Sequence, residues 1–440
     1  MDINFGILPV LFGWATALFI VYALLYNKYI YSIIDPLFMW IFTTAFSSVL
    51  AIQIIPTLQD LLHFFGCQIA LWAGFAIAYR KTNYLDSGLN QTGQVYEFSD
   101  QLLLRWITYT LLGVYILSNI IIGYNKGFAL LSDAPTQSKI ANFQEGFGLF
   151  RKINWSTGTF VSTGLVFMYF LKKRQIDLLF LLIVILLHTL DGSKTALLQV
   201  IISIGIVLYH PAFSYNKNAL KKFQRYLPVI FLGIMGIFFT VLIKENNGYE
   251  EAFLAFITRL LYSADSVLYF YMPANVDYFA DYSFWDYFPR LVNPILGFLR
   301  LAPYQEALGN TMVDNLRPPG YVQTNVTVGP NAPFYIEGRI YFYYWLAFPY
   351  SLLVGYLYAL IRKHFFSLTR TSAFYFVYMG SFCHLAYALI VDVNLAITQS
   401  FDLAFFVIPP YIVLSFLLTS KLTIRLSPFL FKFYKNNLNL

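Results

Sequence analysis

Stretches of about twenty consecutive apolar residues recur from one end of the chain to the other, and nothing else in the sequence constrains the fold as strongly. Twenty residues of helix at ~1.5 Å per residue cross the ~30 Å of a bilayer's hydrocarbon. Inside that slab every backbone N–H and C=O must be bonded within the segment, so such a run folds as a helix. The runs fall at 6–26, 37–56, 61–79, 102–124, 154–171, 176–190, 195–209, 226–243, 335–361, 373–390 and 401–419. A transmembrane barrel instead needs alternating segments of about ten residues, which these continuous runs are not. Composition agrees: 58% of residues are hydrophobic and 12% charged, against roughly 25% charged in a soluble domain. The expected fold is all-α, a polytopic integral membrane protein of about eleven transmembrane helices with a large outward loop containing short helices. It divides into 1–243 (the first eight helices, with an outer loop at 125–153), 244–334 (the large loop) and 335–440 (the last three helices and a tail).

Lysine and arginine are retained on the cytoplasmic side of a membrane, which sets orientation. One alternate set of connections holds Lys28, Arg80, Lys81, Lys172, Lys173, Arg174, Lys217, Lys221, Lys222, Arg225, Arg362, Lys363 and Arg370, and the tail adds Lys421, Arg425, Lys432 and Lys435. The other short connections, 57–60, 191–194 and 391–400, hold Lys194 alone. The first set is therefore expected to face the cytoplasm, and the second to face outward with the N-terminus. The net charge of +7 and pI of about 9.0 are this topological signal. They are not a nucleic-acid footprint, since no basic and aromatic patch lies in a soluble module. The first run is too long for a cleavable signal peptide and lacks basic residues before it, so it is expected to be the first span. Cys67 and Cys383 fall within apolar runs as small packing residues, and no Cys/His spacing of a zinc site occurs.

Two outward connections are long, 125–153 and 244–334. About ninety residues far exceeds what joining two helices requires, and loops of that length usually carry function. Residues 251–272 (EAFLAFITRLLYSADSVLYFYM) read as one amphipathic helix with Arg259, Ser263 and Ser266 on one face. Residues 269–288 hold ten aromatics in twenty positions, which suits sugar rings and equally suits an interfacial belt. Residues 291–302 form an apolar piece too short to span, expected in the interface. Pro318, Pro319, Gly320, Gly329, Pro330 and Pro333 break the remainder into turns.

Beyond Lys244 the cations of this loop are all arginine, Arg259, Arg290, Arg300 and Arg317, with Arg339 one turn into the next run. A planar guanidinium grips phosphate or carboxylate oxygens in pairs, which lysine cannot do. The same arginines have Glu250, Glu251, Asp265, Asp277, Asp281, Asp286, Glu306 and Asp314 as potential ion-pair partners, so both uses stand open. The loop is net acidic, so any anion bound there must be held by a few convergent groups.

The hairpin LLHTLDGSKTALLQVIISIGI sets Asp191, Gly192, Ser193 and Lys194 between two apolar runs. Gly192 permits a tight turn, and Ser193 or Asp191 can cap the helix that begins near Lys194. Free amides at a helix N-terminus beside a cation favour phosphate. The alternative is a lysine that snorkels to lipid headgroups. Arg151 enters its span on the same face, and Arg259 and Arg290 lie in a loop long enough to fold over it. His63, His384 and Asp177 within predicted spans, and Asp392 and Asn394 in a short outer connection, read as hydrogen-bonding groups between helices.

Taken in order, these features resemble the bacterial Wzy-type polymerases of O-antigen, capsule and enterobacterial-common-antigen repeat units. The likeness runs over most of the chain: many spans, a short outer hairpin with GSK at 192–194, a loop helix carrying an arginine (ITRLLYSADS, Arg259) and a downstream arginine (FPRLVNP, Arg290). Its clearest stretch is GPNAPFYIEGRIYFYYWLAFPYSLLVGYLYALI at 329–361. Many relatives carry a second small residue after the glycine of that stretch, where this chain has Tyr343 or Tyr344.

The resemblance implies transfer of a growing glycan from undecaprenyl diphosphate to the non-reducing end of the next lipid-linked repeat unit, on the periplasmic face of the bacterial cytoplasmic membrane. It implies a lipid-dependent glycosyltransferase with no metal or other cofactor. Undecaprenyl-diphosphate-linked oligosaccharides and membrane lipid are the implied partners, with a chain-length regulator and a flippase as further candidates and no nucleic acid. Breaking a sugar–diphosphate bond requires stabilising charge on the departing diphosphate, which preorganised Arg and Lys groups in a water-poor site do. Arg151, Lys194 and Arg259 are assigned that role, with Arg290 and Arg339 next. The acceptor hydroxyl needs a base or an orienting group, for which Glu337, Asp265 and His188 are the candidates. Glu337 and Arg339 sit where the loop returns to the membrane, and an ionisable group there is costly unless used or paired. A structural Glu337–Arg339 pair is the alternative, as is a hydrogen-bonded helix residue for His188. Two other functions share the class. A flippase or secondary transporter of lipid-linked oligosaccharide would show paired halves or broken helices, and an O-antigen ligase differs mainly in acceptor.

Overall fold

The computed structural model describes residues 8–80, 98–143, 146–192, 196–246, 248–261, 265–318, 329–369, 371–419, 421–426 and 429–434. Helices α1 (Leu8–Tyr26), α2 (Pro36–Ile54) and α3 (Leu58–Ala78) come first. Asp35 and Thr57 start α2 and α3 by accepting from the amides of Leu37 and Asp60, and Pro36 occupies a first-turn position that has no amide bond to lose. Next are α4 (Phe98–Lys126), the short α5 (Pro135–Ala141), α6 (Gly148–Lys172), α7 (Gln175–Leu190), α8 (Ala196–Leu208) and α9 (Lys217–Asn246). The large loop folds as α10 (Tyr249–Leu261), α11 (Asp265–Phe270), α12 (Pro273–Phe279), α13 (Phe284–Phe298) and α14 (Leu308–Asn315). Then α15 (Phe334–Tyr341) leads into α16 (Tyr343–Phe366), α17 (Ala373–Leu385) and α18 (Val393–Thr419). Strands β1 (Lys421–Leu426) and β2 (Phe429–Tyr434) pair antiparallel after the last helix.

Among the described residues, eight helices are long and apolar enough to cross a membrane: α1, α2, α3, α4, α9, α16, α17 with its continuation to Ile390, and α18. The sequence predicts about eleven spans, and the difference falls on α6, α7 and α8. Helices α7 and α8 have 16 and 13 residues, so at ~1.5 Å per residue they reach only ~24 and ~20 Å. Helix α6 is long, 25 residues, but Asn154, Ser156, Thr157, Thr159, Ser162 and Thr163 are all buried along it. It packs against α4, α7, α8, α17 and α18. A helix walled in by others holds polar groups away from lipid, so hydropathy understates its depth.

Helices α3 and α16 form the closest contact of the bundle. A Cβ added to Gly74 would stand 2.3 Å from the Leu352 carbonyl, and one on Gly355 2.2 Å from the Leu71 carbonyl. Only glycine lets the two backbones touch there. Gly338 of α15 likewise faces a small residue, but that residue is Ala347, one turn past the two tyrosines. Both cysteines are buried as free thiols.

The large loop is a folded layer. The helix predicted over 251–272 is helical on both sides of residues 262–264, as α10 and α11, and those three residues lie outside the described residues. The aromatic run supplies this layer's own core, burying Phe270, Phe279 and Tyr287, while Trp285 stays exposed. The short apolar piece at 291–302 is mostly the second half of α13, started by a capping box between Ser283 and Asp286. Asn275 locks α12 to α14 by donating to the Met312 carbonyl at 3.0 Å. Phe298 at the end of α13 packs on Phe401, Phe405 and Phe406 of α18, which fastens the layer to the bundle.

Candidate functional site

On the loop side of the bundle, the start of α6, the end of α7, the connection holding α5 and the body of α18 meet. Arg151 and Lys152 occupy the first turn of α6. Lys152 Nζ lies 3.0 Å from Asp402 Oδ1 and 4.9 Å from the centre of the Phe298 ring. Asp402 is wholly buried, and its other oxygen has no hydrogen-bond partner among the described residues. Arg151 is exposed, its guanidinium stacked 4.2 Å over Trp155, with Tyr304, Asp402 and Asp191 within electrostatic range. A stacked, exposed guanidinium keeps its N–H fork free for an incoming anion.

Asp191 ends α7, its amide bonding back to the Leu187 carbonyl. Burial pushes its carboxyl up to about 6, while Lys139 of α5 and Arg151 pull the other way. Burial lowers the ammonium of Lys139, and Asp191 opposes that shift. Gly192 has φ of +72°, a left-handed conformation that suits glycine, and a Cβ added there would stand 3.2 Å from the Ala129 Cβ. Ser193 and Lys194 lie outside the described residues. His188, one turn before Asp191, is joined through Nδ1 to the Tyr115 hydroxyl at 2.7 Å. Lys139, Arg151 and Lys152 thus gather beside two buried carboxylates, at a mouth that α13 partly covers.

A second cluster sits where the loop returns. Arg290 of α13 donates to the Tyr341 hydroxyl (3.2 Å), the Glu306 carbonyl (2.9 Å) and Thr311 Oγ1 (3.0 Å). Glu306 is two residues from Tyr304, so one loop segment passes both Arg290 and Arg151. Glu337 is 2% exposed and bonds to the Tyr350 hydroxyl, which bonds in turn to Tyr287 at 2.9 Å. Glu337 precedes the span of α16. Burial, reinforced by the nearby Asp392 carboxyl, raises its own carboxyl to about 8.

The alternative Glu337–Arg339 pair does not form. Residues two apart on a helix point to different sides, and Arg339 turns instead to Asp60 of α3, Nε to Oδ1 at 3.2 Å, while stacking 4.1 Å over Tyr344. Arg290, Arg151 and Arg339 are therefore held by three different sets of partners. Asp265 accepts from the amide of Ser266 at 3.0 Å at the start of α11. Arg259 lies on α10, but its side chain is outside the described residues. The sequence reading left out Asp402, although a lone carboxylate in the apolar run 401–419 was a signal in plain view. Lys139 and Lys152 were visible only as loop charges.

Among the described residues, eight membrane-length helices, a polar helix buried against five neighbours and a folded loop layer define a polytopic helical membrane protein. No protein family, curated protein or solved structure matches the chain.

Proposed function

We propose that this protein polymerises lipid-linked oligosaccharide repeat units, as a Wzy-type enzyme of the bacterial cytoplasmic membrane whose loop layer faces the periplasm. In this reading α6, α7 and α8 complete a bundle of eleven spans, and the product is an O-antigen or capsule chain. The observation that carries it is the cation-rich cluster, or mouth, of Lys139, Arg151 and Lys152 beside Asp191, against which the loop layer places Phe298. In the reaction, the bond from the anomeric carbon to the diphosphate oxygen of the donor breaks, and the acceptor hydroxyl oxygen bonds to that carbon. The acceptor's proton passes to a base, and the diphosphate leaves with the electron pair. Arg151 and Lys139, with Lys194 and Arg259, oppose the charge that develops on it; preorganised cations are worth most where water is scarce.

His188 stands one turn from Asp191 and so shares the mouth with the cations. Glu337, with a carboxyl near 8, matches the requirement that a proton acceptor titrate close to working pH. It belongs with Arg290 on the neighbouring segment. The test is the surface glycan of a strain lacking the gene, complemented with wild type or Arg151→Ala and resolved by chain length. Polymerisation requires single-repeat glycan in the null strain, a ladder with wild type and no ladder with the variant at normal protein level. Loss of all surface repeat with inward-facing lipid-linked units indicates a flippase. Long chains left on the lipid carrier indicate a ligase.

A further inference from the structure

At the opposite end of the bundle, where the basic connections gather, α4, α6 and the start of α7 flank a shallow recess that opens to the surroundings. Arg105 of α4, Lys172 at the end of α6 and Arg174 just before α7 line it, so three cations converge on one space. Asp177 lines it too, and is 1% exposed. The Tyr109 hydroxyl donates to Asp177 Oδ1 at 2.8 Å. Among the described residues the second oxygen, Oδ2, has no hydrogen-bond partner, and Arg105 and Arg174 stand within electrostatic range of Asp177 without an ion pair to it. Leu104, Phe167 and Met168 supply an apolar wall.

We propose that this recess binds a phospholipid headgroup whose phosphate is accompanied by a hydrogen-bond donor, an ammonium or a glycerol hydroxyl. The cations match a phosphodiester, with arginine gripping its oxygens in pairs. An orphaned buried carboxylate oxygen is costly, and a donor beside the phosphate satisfies it. The apolar wall takes the glycerol and the first acyl carbons, which a soluble phosphate lacks. Basic recesses between helices on the cytoplasmic side hold lipid headgroups on the same physical grounds. A choline headgroup offers no donor to Asp177 and is excluded. The site is independent of the polymerase reading and requires only that the protein span a membrane.

Delipidated full-length protein in neutral detergent, melted with added phosphatidylethanolamine, phosphatidylglycerol, phosphatidylcholine or inorganic phosphate, provides the test, with retained lipid counted by native mass spectrometry. The ethanolamine and glycerol lipids are expected to raise Tm and remain bound, and the other two to do neither. Arg174→Gln, at the half-buried residue just before α7, removes the response while the unliganded Tm holds. Asp177→Asn keeps the size of the side chain and lowers the preference for ethanolamine over choline lipid about tenfold, the worth of one charge-assisted hydrogen bond. An equal rise with phosphatidylcholine overturns the role of Asp177. An equal rise with inorganic phosphate makes the ligand a soluble anion, and no rise with any lipid removes the site.

Discussion

Arg362 and Asp35, 327 residues apart in sequence, form a two-point ion pair, Nη1 to Oδ1 at 2.8 Å and Nη2 to Oδ2 at 2.6 Å. Asp35 is wholly buried and Arg362 1% exposed. Arg362 also donates to the Tyr29 carbonyl at 2.8 Å, so one guanidinium ties the α1–α2 turn to the end of α16. Asp35 meanwhile caps α2 through the Leu37 amide. Removing one partner of a buried pair leaves the other charge stranded, which costs about 3–5 kcal/mol. Arg362→Met is therefore expected to collapse the detergent Tm, and Asp35→Asn with Arg362→Met to recover much of it. A double variant no more stable than the single one rules out a stranded charge as the cause.

The glycine contact between α3 and α16 gives a second expectation. At Gly355 a methyl group would sit 2.2 Å from the Leu71 carbonyl, a backbone atom that cannot rotate away. Overpacking of this kind costs about 1–3 kcal/mol or more. Gly355→Ala should lower Tm, whereas Gly113→Ala, where nothing lies within 4 Å, should leave it unchanged. Equal effects at both positions count against close helix contact as the cause.

Arg151 and Arg339 separate use from structure. Arg339 is held by Asp60 and Tyr344, and losing a charge-assisted bond of this kind costs about 2 kcal/mol. Arg151 is exposed and its guanidinium rests on the face of Trp155. Arg339→Gln is expected to lower Tm and reduce glycan output only as far as protein level falls. Arg151→Gln is expected to keep Tm and abolish the glycan ladder. A normal ladder from Arg151→Gln at normal protein level removes Arg151 from the reaction.

The class of fold could be read from run length alone, because a bilayer leaves a chain so few options. The count is narrower: of the eleven runs, eight correspond to described helices long and apolar enough to cross, while α6 carries a polar face buried against five helices and α7 and α8 are short. The GSK turn was legible at Gly192, where a local rule decides the backbone. The partners of the charges were not. Asp60 and Arg339 meet across 279 residues, as do Lys152 and Asp402 across 250, and no local pattern announces either pair. The Arg339 alternative failed for a reason that helix geometry already contains: two residues apart is the wrong spacing for a pair.

Asp191 makes the cation-rich mouth sensitive to pH. Its carboxyl lies at about 6, raised by burial above the ordinary 3.8, so the folded protein holds that proton where the unfolded chain has lost it. The stability gained from the neutral form is complete below about 3.8 and is lost as pH rises through about 6. The shift of about two units corresponds to ~3 kcal/mol, at ~1.4 kcal/mol per unit. Asp191→Asn should therefore match wild type near pH 4 and exceed it in Tm at pH 8. The same ionisation sets a negative charge beside Lys139 and Arg151, weakening their hold on a diphosphate. Affinity for a lipid diphosphate is expected to fall about tenfold between pH 5 and pH 7.5 in wild type, and to stay at its low-pH level in the Asn variant. Binding that is flat with pH in both proteins means that Asp191 is ionised throughout, and that the mouth carries one positive charge fewer than this arrangement requires.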